Sequence, residues 1–247
     1  ALFVDNQSKP STTRVVSVTH GIDLQQKQSY IFDEKLPYWI IYRNDLFDEV
    51  CRKMDFDCFT VFRDRQITNG NIATTGDIRV LKSRNISDDG SSIMDIDGYD
   101  SYISKDVLSQ LAVNEYLTRD DVYLTPNMTY KPRVMKKPKD VVVNGSIAIL
   151  IPKSYIELTE KQCLYFSSAE YRAFYQIARN YQTRSLNVDS CSVFFYGILR
   201  KGHKSSPIIS ASYGVSIEKL NDLSYSSCSR PKLIFITFLI AFKPSCI

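Results

Sequence analysis

The sequence predicts a mainly β fold with α elements, organised as a single-domain mixed, mainly antiparallel β-sandwich that carries a few helices. Three observations predict it. Short runs rich in Val, Ile, Phe and Tyr end near Gly, Pro, Asn or Asp, as strands usually do. Only three segments have the three- and four-residue apolar spacing of a helix. Strand and helix patterns do not alternate regularly, which argues against a parallel doubly wound sheet.

Eight segments have the composition of strands. One of them, residues 77–82, also alternates apolar and polar side chains, as a half-buried strand requires: Ile78 and Val80 flank Arg79. The predicted strands are residues 14–18, 38–42, 56–62, 77–82, 141–151, 192–199, 208–217 and 232–242.

The clearest helix is predicted from about Ser168 to Arg184. Ser167 and Glu170 have the spacing of a capping box, which satisfies exposed amide donors at a helix start. An apolar, aromatic stripe follows at helical spacing, made of Tyr171, Phe174, Tyr175, Ala178 and Tyr181. The opposite side is expected to carry Arg172, Gln176 and Arg179. Such a stripe predicts core packing, and its three hydroxyls make it a candidate for packing against a neighbouring subunit.

Two shorter helices are predicted. Residues 45–54 place Leu46, Val50 and Met54 on one face. Residues 105–116 follow Ser104, a suitable cap. The residues expected to face inward there are Val107, Leu108 and Leu111.

Residues 120–140 are the only plausible internal linker, and a single domain over residues 1–247 is predicted. Within it, residues 1–35 are interpreted as an N-terminal arm and residues 221–247 as a C-terminal extension. The basic run at residues 131–139 allows two interpretations: a nuclear import signal or phosphate-binding strip, and a solvated linker broken by Pro. We favour the linker, because only Tyr130 lies beside the run to stack on bases.

Charge and apolar patterning indicate a cytosolic chain with no required nucleic-acid or membrane partner. The formal net charge is +4. The N-terminus turns polar early, and the longest apolar run, residues 233–242, is about half of a bilayer-crossing helix. The six cysteines are scattered without CxxC spacing, so we expect no zinc site and mostly free thiols. Disulfide formation after assembly stays open.

No sequence motif for catalysis is present, and the chain is not predicted to be an enzyme. GxSxG, GxxxxGK[ST], HExxH and GxGxxG are absent, and the histidines His20 and His203 have no recognisable catalytic context. A Ser/His/Asp or Cys/His site assembled in space remains an alternative. The acidic residues 88–100 suggest a calcium site or a carboxylate pair for glycoside hydrolysis, but Gly98 does not fit an EF-hand loop, and a hydrated surface loop is favoured.

The second half of the chain resembles the polyhedrins of cypoviruses, the cytoplasmic polyhedrosis viruses. Asn144-Gly145-Ser146 leads into apolar residues 147–151 and then into Pro152-Lys153-Ser154-Tyr155, similar to a strand followed by Pro-x-x-Tyr in that family. An aromatic helix, the strand 193–199 and Ser212-Tyr213-Gly214-Val215 follow in the same order and at similar spacing. The chain departs from the family after Ser-Tyr-Gly-Val, where residues 216–247 continue, and in residues 1–35, which lack a counterpart of the N-terminal helix.

The resemblance implies a β-sandwich protein that forms homotrimers. These trimers would pack into crystals around virus particles in the host-cell cytoplasm, as occlusion bodies that dissolve in an alkaline insect midgut. No cofactor is required, although the resemblance also implies that a nucleotide could be bound. No phosphate-binding motif identifies a site for it.

The composition suits release by alkali. The chain contains 16 Tyr. Complete titration of Lys and Tyr would take the formal charge from +4 to about −29. Burial raises a Tyr pKa, so buried tyrosines would ionise late and together. The candidates for assembly contacts and for alkali sensing are Tyr171, Tyr175, Tyr181, Tyr196 and Tyr213.

Two other classes of function stay open. A soluble β-sandwich module could bind a carbohydrate or a protein through exposed aromatic residues, and it would remain monomeric or dimeric at high concentration. An enzyme with a spatially assembled site would need His20 or His203 in a pocket beside a carboxylate and a nucleophile.

Overall fold

The computed structural model describes residues 11–129, 131–182 and 187–200, which form a mixed β fold with helices. The predicted fold class is confirmed, with mostly antiparallel pairing. The strands are β1 (Thr12–Ser17), β2 (Ile22–Lys27), β3 (Met54–Asp55), β4 (Phe59–Arg63), β5 (Ile78–Leu81), β6 (Ser101–Ile103), β7 (Tyr123–Pro126), β8 (Met135–Lys136), β9 (Val141–Val143), β10 (Ile147–Pro152) and β11 (Ile198–Leu199). The α-helices are α1 (Gln28–Ile31), α2 (Asp45–Lys53), α3 (Lys105–Leu108), α4 (Glu160–Tyr165) and α5 (Ala169–Ala178). Three 3-10 helices span Ser83–Asn85, Ala112–Tyr116 and Ser192–Phe195.

A four-stranded antiparallel sheet, in the order β4-β10-β7-β8, lies at the centre. Residues 147–150 of β10 are all fully buried, so both faces of this strand are covered. Ile147 and Ile149 join the core cluster that also holds β5 and β9. Ala148 and Leu150 join the aromatic cluster that holds α2 and α5. The sheet therefore packs on a second sheet with one face and on helices with the other.

The second sheet has the order β6-β5-β9, and β5 pairs with β9 in parallel. The sequence predicted one strand over residues 141–151, but a turn separates β9 from β10. The Asn144 side chain accepts hydrogen bonds from the Ser146 N–H, at 3.1 Å, and from its hydroxyl, at 2.6 Å. A Cβ on Gly145 would lie 2.7 Å from the Asp64 carbonyl oxygen, so the turn requires Gly. The single-strand prediction was wrong because side-chain hydrogen bonds favour a turn there.

The two main helices form as predicted, with shifted ends. Ser168, not Ser167, caps α5 by accepting a hydrogen bond from the Tyr171 N–H at 3.1 Å. The helix ends at Ala178, because Asn180 and Tyr181 have positive φ angles, of 49° and 50°. In α2, Asn44 caps the start, and Phe47 rather than Leu46 is buried beside Val50.

Residues 105–116 do not form one helix. Ser104 caps α3 as predicted, but α3 ends at Leu108 and a separate 3-10 helix covers Ala112–Tyr116. Leu108 is buried, whereas Val107 is exposed, contrary to the prediction that it faces inward.

Two further strand predictions were wrong, because tertiary contacts rather than β-propensity determine the structure of these segments. Residues 38–42 have no regular structure. Their backbone is fixed by Asn180, whose side chain accepts from the Ile41 N–H at 2.7 Å and donates to the Trp39 carbonyl at 2.8 Å. Residues 192–199 form a 3-10 helix and the short β11. The predicted strands at residues 208–217 and 232–242 lie outside the described residues, as does the extension 221–247.

The predicted linker, residues 120–140, contains the buried strand β7 and the short strand β8. The solvated-linker interpretation was therefore wrong. Lys137, in the basic run, is only 1% exposed, and its ammonium donates to the carbonyls of Leu117 (3.1 Å), Arg119 (3.2 Å) and Pro138 (2.8 Å). Burial lowers the pKa of Lys137 to about 8. Burial of the Lys137 ammonium is tolerated because backbone oxygens satisfy it, whereas Lys131, Lys136 and Lys139 are exposed.

The described part of the predicted arm, residues 11–35, contains the hairpin β1–β2 and the short helix α1. Gln26 fixes the hairpin by donating to the Arg43 carbonyl at 2.7 Å. The Arg43 guanidinium binds Asp33 and Asp48, each at 2.8 Å, and lies 4.3 Å from the Tyr30 ring centroid. This network holds α1 against α2.

Among the described residues, no helix is long and apolar enough to span a bilayer.

Candidate functional site

Three buried tyrosines meet in the aromatic core, and we call them the tyrosine cluster: Tyr171, Tyr175 and Tyr196. Tyr171 and Tyr175 lie one turn apart on the inner face of α5. Tyr196 directly follows the 3-10 helix Ser192–Phe195. Ring centroids are 6.1 Å apart for Tyr171 and Tyr175, 5.6 Å for Tyr175 and Tyr196, and 6.4 Å for Tyr171 and Tyr196.

The hydroxyls of the tyrosine cluster have few partners. Tyr171 donates to the Phe195 carbonyl oxygen at 3.1 Å. Tyr196 shares a hydrogen bond of 3.4 Å with the Thr125 hydroxyl on β7. The Tyr175 hydroxyl forms no well-aligned hydrogen bond within the described part of the chain. Water does not solvate these oxygens, so a phenolate formed here would be poorly stabilised.

Burial raises the pKa of every member of the tyrosine cluster, because desolvation disfavours the phenolate. The pKa values of Tyr171 and Tyr196 are raised well above the ordinary value, and each is raised further by neighbouring tyrosines. Formation of one phenolate therefore disfavours ionisation of the next tyrosine, so the three ionisations are coupled. The folded chain can keep all three neutral in mild alkali.

Arg179 is a buried cation near the cluster. The sequence predicted it on the outer side of the helix, but it is buried, because α5 ends at Ala178 and Arg179 is the C-cap residue, outside the helical spacing. Its guanidinium donates to the Asn187 carbonyl at 3.3 Å and to the Gln182 side chain at 3.4 Å. Its positive charge lowers the pKa of Tyr175, against the larger effect of burial. Arg179 also lowers the pKa of Tyr196, so it opposes the effect of burial at two members of the tyrosine cluster.

Tyr181 does not join the tyrosine cluster. It lies beyond the end of α5, and its ring stacks on His20 with a centroid distance of 4.4 Å. The Tyr42 ring meets Tyr181 edge-on at 5.3 Å. This group attaches the tip of the β1–β2 hairpin to the rest of the chain. Tyr213, the fifth predicted residue, lies outside the described residues, as does His203.

The expectation that the helix tyrosines contact a neighbouring subunit is corrected for Tyr171 and Tyr175. The Tyr171 ring contacts this chain's own Phe166, Phe174 and Tyr196. The Tyr175 ring contacts Tyr171 and Tyr196, and both residues are buried, so they are packing residues. The sequence did not identify Thr125, Phe195 or Arg179 as part of the site. Thr125 lies within the segment interpreted as a linker, and no local signal marks the Phe195 carbonyl.

The acidic segment is a surface loop held by its own polar contacts. The Asp89 carboxylate accepts from the Ser87 hydroxyl at 2.7 Å and from the Ser91 N–H at 3.0 Å, and these bonds lower its pKa to about 2. Asp100 binds Asn85 at 2.6 Å and Arg79 at 3.0 Å. Across residues 11–129, 131–182 and 187–200, no three His, Cys, Asp or Glu side chains are grouped as metal ligands.

Three described cysteines carry free thiols: Cys51, Cys58 and Cys163. Burial raises the pKa of Cys51 to about 12 and that of Cys163 to about 11. A thiol must ionise to act as a nucleophile, so these two are chemically inert at neutral pH.

Comparison of the chain with models of known protein families and with curated proteins gives no match.

Proposed function

We propose that this chain is a structural protein that assembles with copies of itself into crystalline occlusion bodies in the host-cell cytoplasm. These bodies protect virus particles and dissolve at alkaline pH. The sequence resemblance to cypovirus polyhedrins, given above, supports a homotrimer as the building unit. In this proposal the chain is not an enzyme, needs no cofactor, and has no membrane or nucleic-acid partner. A nucleotide bound within the lattice is implied by the resemblance alone.

The tyrosine cluster is the observation that carries the proposal. Each buried Tyr favours the folded chain while neutral, since its folded-state pKa lies above the value near 10 of an exposed Tyr. Below pH 10 this contribution is fully present, and it is lost as the pH rises through the folded-state values. A chain built in this way is stable at neutral pH and fails cooperatively in alkali, as a particle released in an alkaline gut requires.

The test is expression of the full chain in insect cells, with light microscopy for cytoplasmic crystals. We expect crystals that survive a neutral wash with detergent and dissolve at pH 11. The matched variant Y171F/Y175F/Y196F keeps the rings but removes the ionisable groups, so its crystals should need a higher pH. A chain that stays monomeric at high concentration would overturn the proposal.

A second candidate function is a soluble module that binds a carbohydrate or a protein through exposed aromatic residues. One observation favours it: Trp39 is 52% exposed and lies 4.4 Å, between ring centroids, from the exposed ring of Phe32. Exposed aromatic pairs of this kind are common on binding surfaces. Stoichiometry separates the candidates, since a module would stay monomeric or dimeric when concentrated.

A further inference from the structure

We propose that strand β2 is a contact between copies of this chain, formed when it pairs antiparallel with β2 of a second copy across a two-fold axis through Gln25. The contact makes one four-stranded sheet from two hairpins. This inference rests on the proposed self-assembly and names one of its interfaces.

The β1–β2 hairpin is a separate two-stranded sheet, so each strand has one edge without a strand partner in the described part of the chain. A two-stranded ribbon is only marginally stable alone, and an open edge offers unpaired N–H and C=O groups to another strand. The inner face of the hairpin is covered, and Val15 and Gln26 are buried there. Its edges are the surface that a second copy could use.

The alternation of hydrogen-bonded and non-bonded pairs in the hairpin determines which backbone N–H and C=O groups face the open edge of β2. The Gln28 N–H donates to the Ser11 carbonyl at 2.9 Å, and Ser11 opposes Gln28 when the ladder's register is continued by one residue. Hydrogen-bonded and non-bonded pairs alternate in an antiparallel ladder. Ile22, Leu24 and Gln26 therefore point their backbone groups at β1. The backbone N–H groups of Asp23, Gln25 and Lys27 point away from β1, toward the open edge of β2. The backbone carbonyl groups of Asp23 and Gln25 point toward the same edge.

In the two-fold register centred on Gln25, the outward-facing backbone N–H groups of Gln25 and Lys27 find carbonyl acceptors on the second copy. Gln25 pairs with Gln25 of the second copy and exchanges two hydrogen bonds with it. On either side, the Lys27 N–H meets the Asp23 carbonyl. The side chains of Asp23, Gln25 and Lys27 share the exposed face of β2, so each Asp23 lies opposite a Lys27 of the other copy. Opposite charges directly across two strands stabilise the pair.

The edge of β1 lacks this self-complementarity. Thr12, Arg14 and Val16 direct their backbone groups outward there, by the same alternation. The longest two-fold register is centred on Arg14 and places two guanidinium groups opposite each other. Like charges directly across two strands are destabilising. Charge therefore selects β2 as the strand that meets a second copy.

A cysteine cross-link tests the register directly. In the Gln25→Cys variant the two Cα atoms of the central pair would be about 5.5 Å apart, a spacing that suits a disulfide. We expect a covalent dimer on non-reducing gels after mild oxidation, above the wild-type background. In Asp23→Cys the two new thiols would be about 13 Å apart, so this matched variant should form none.

Association is then measured by sedimentation velocity at neutral pH. Gln25→Pro removes the central N–H and should weaken self-association about tenfold or more. Val16→Pro makes the same change on the outer edge of β1 and should leave association unchanged. Lys27→Asp places two acidic pairs across the axis and should weaken association. Because Asp23 also pairs with Arg14 of its own chain, the triple variant R14D/D23K/K27D, which reverses both pairs, should restore it.

The outcomes separate the two proposals. Wild-type chain that does not self-associate overturns both the proposed function and this contact. Wild-type chain that self-associates, with no cross-link through Cys at position 25 and no loss in the folded Gln25→Pro variant, overturns the contact alone. Circular dichroism of each variant establishes that it is folded.

Discussion

The Tyr171 hydroxyl donates a hydrogen bond of 3.1 Å to the Phe195 carbonyl oxygen, which ties α5 to the 3-10 helix that precedes Tyr196. Both residues are fully buried. This bond joins two segments that together carry the tyrosine cluster. It also places an ionisable group where its ionised form can neither donate to the carbonyl nor reach water.

Tyr171→Phe should lower the free energy of unfolding by about 1 kcal/mol at pH 7, because the buried Phe195 carbonyl loses its donor. At pH 11 the wild-type chain loses about 1.4 kcal/mol from the suppressed ionisation of Tyr171, so the difference from the variant should vanish. Urea unfolding at both pH values measures this. Tyr155→Phe is the control, since Tyr155 is 95% exposed, and it should change neither value.

Alkaline unfolding should be cooperative. Each member of the tyrosine cluster has a folded-state pKa above the unfolded value near 10, so each stabilises the fold below pH 10 and withdraws that contribution above it. Tyr171 and Tyr196, whose pKa values are raised well above the ordinary value, should together remove about 3 kcal/mol at pH 11, and Tyr175 adds to this loss. The part of the tyrosinate absorbance that the variant Y171F/Y175F/Y196F lacks should therefore change in the same pH interval as the circular dichroism of the wild-type chain. Buried tyrosines that ionise while the circular dichroism stays native would contradict this.

Lys137 should act in the opposite direction. Its folded-state pKa of about 8 lies below the ordinary value, so the folded chain releases this proton first and the contribution of Lys137 to stability rises with pH. Between pH 8 and pH 10 the wild-type chain should gain on the order of 2 kcal/mol relative to Lys137→Met. Denaturant titrations across this range give the difference. An equal pH dependence in both chains would show that Lys137 is not desolvated.

Arg43→Ala should destabilise the chain by about 2–3 kcal/mol, because it leaves Asp33 and Asp48 without their shared cation and frees α1 from α2. Thermal and urea unfolding both measure the loss. Arg14→Ala removes an exposed ion pair with Asp23 and should cost less than about 1 kcal/mol. Similar losses in the free energy of unfolding of the two variants would mean that the Arg43 network stabilises the chain no more than an exposed ion pair does.

The sequence predicted the elements whose signal is local. The stripe of Tyr171, Phe174 and Tyr175 is buried as its helical spacing indicates, and β5 follows from the alternation around Arg79. The convergence of Tyr196 and Thr125 on that stripe could not be predicted, because it depends on contacts across 71 positions of the chain.

Where the prediction was wrong, tertiary structure had overridden composition. Lys137 and its neighbours have the composition of a solvated linker, yet three backbone carbonyls make burial of the ammonium tolerable. Residues 38–42 have the composition of a strand, yet the side chain of Asn180 provides the hydrogen bonds that another strand would have supplied.

Asn180 also sets the order in which the chain can fold during synthesis. Its side chain is bound to Ile41 and Trp39 across 139 and 141 positions, so these bonds form only after residue 180 has left the ribosome. Contacts of such long range form late in folding. The segment that follows the β1–β2 hairpin is therefore fixed only after Asn180 has been synthesised. Nascent chains that end before Asn180 thus lack the finished surface around residues 39–41.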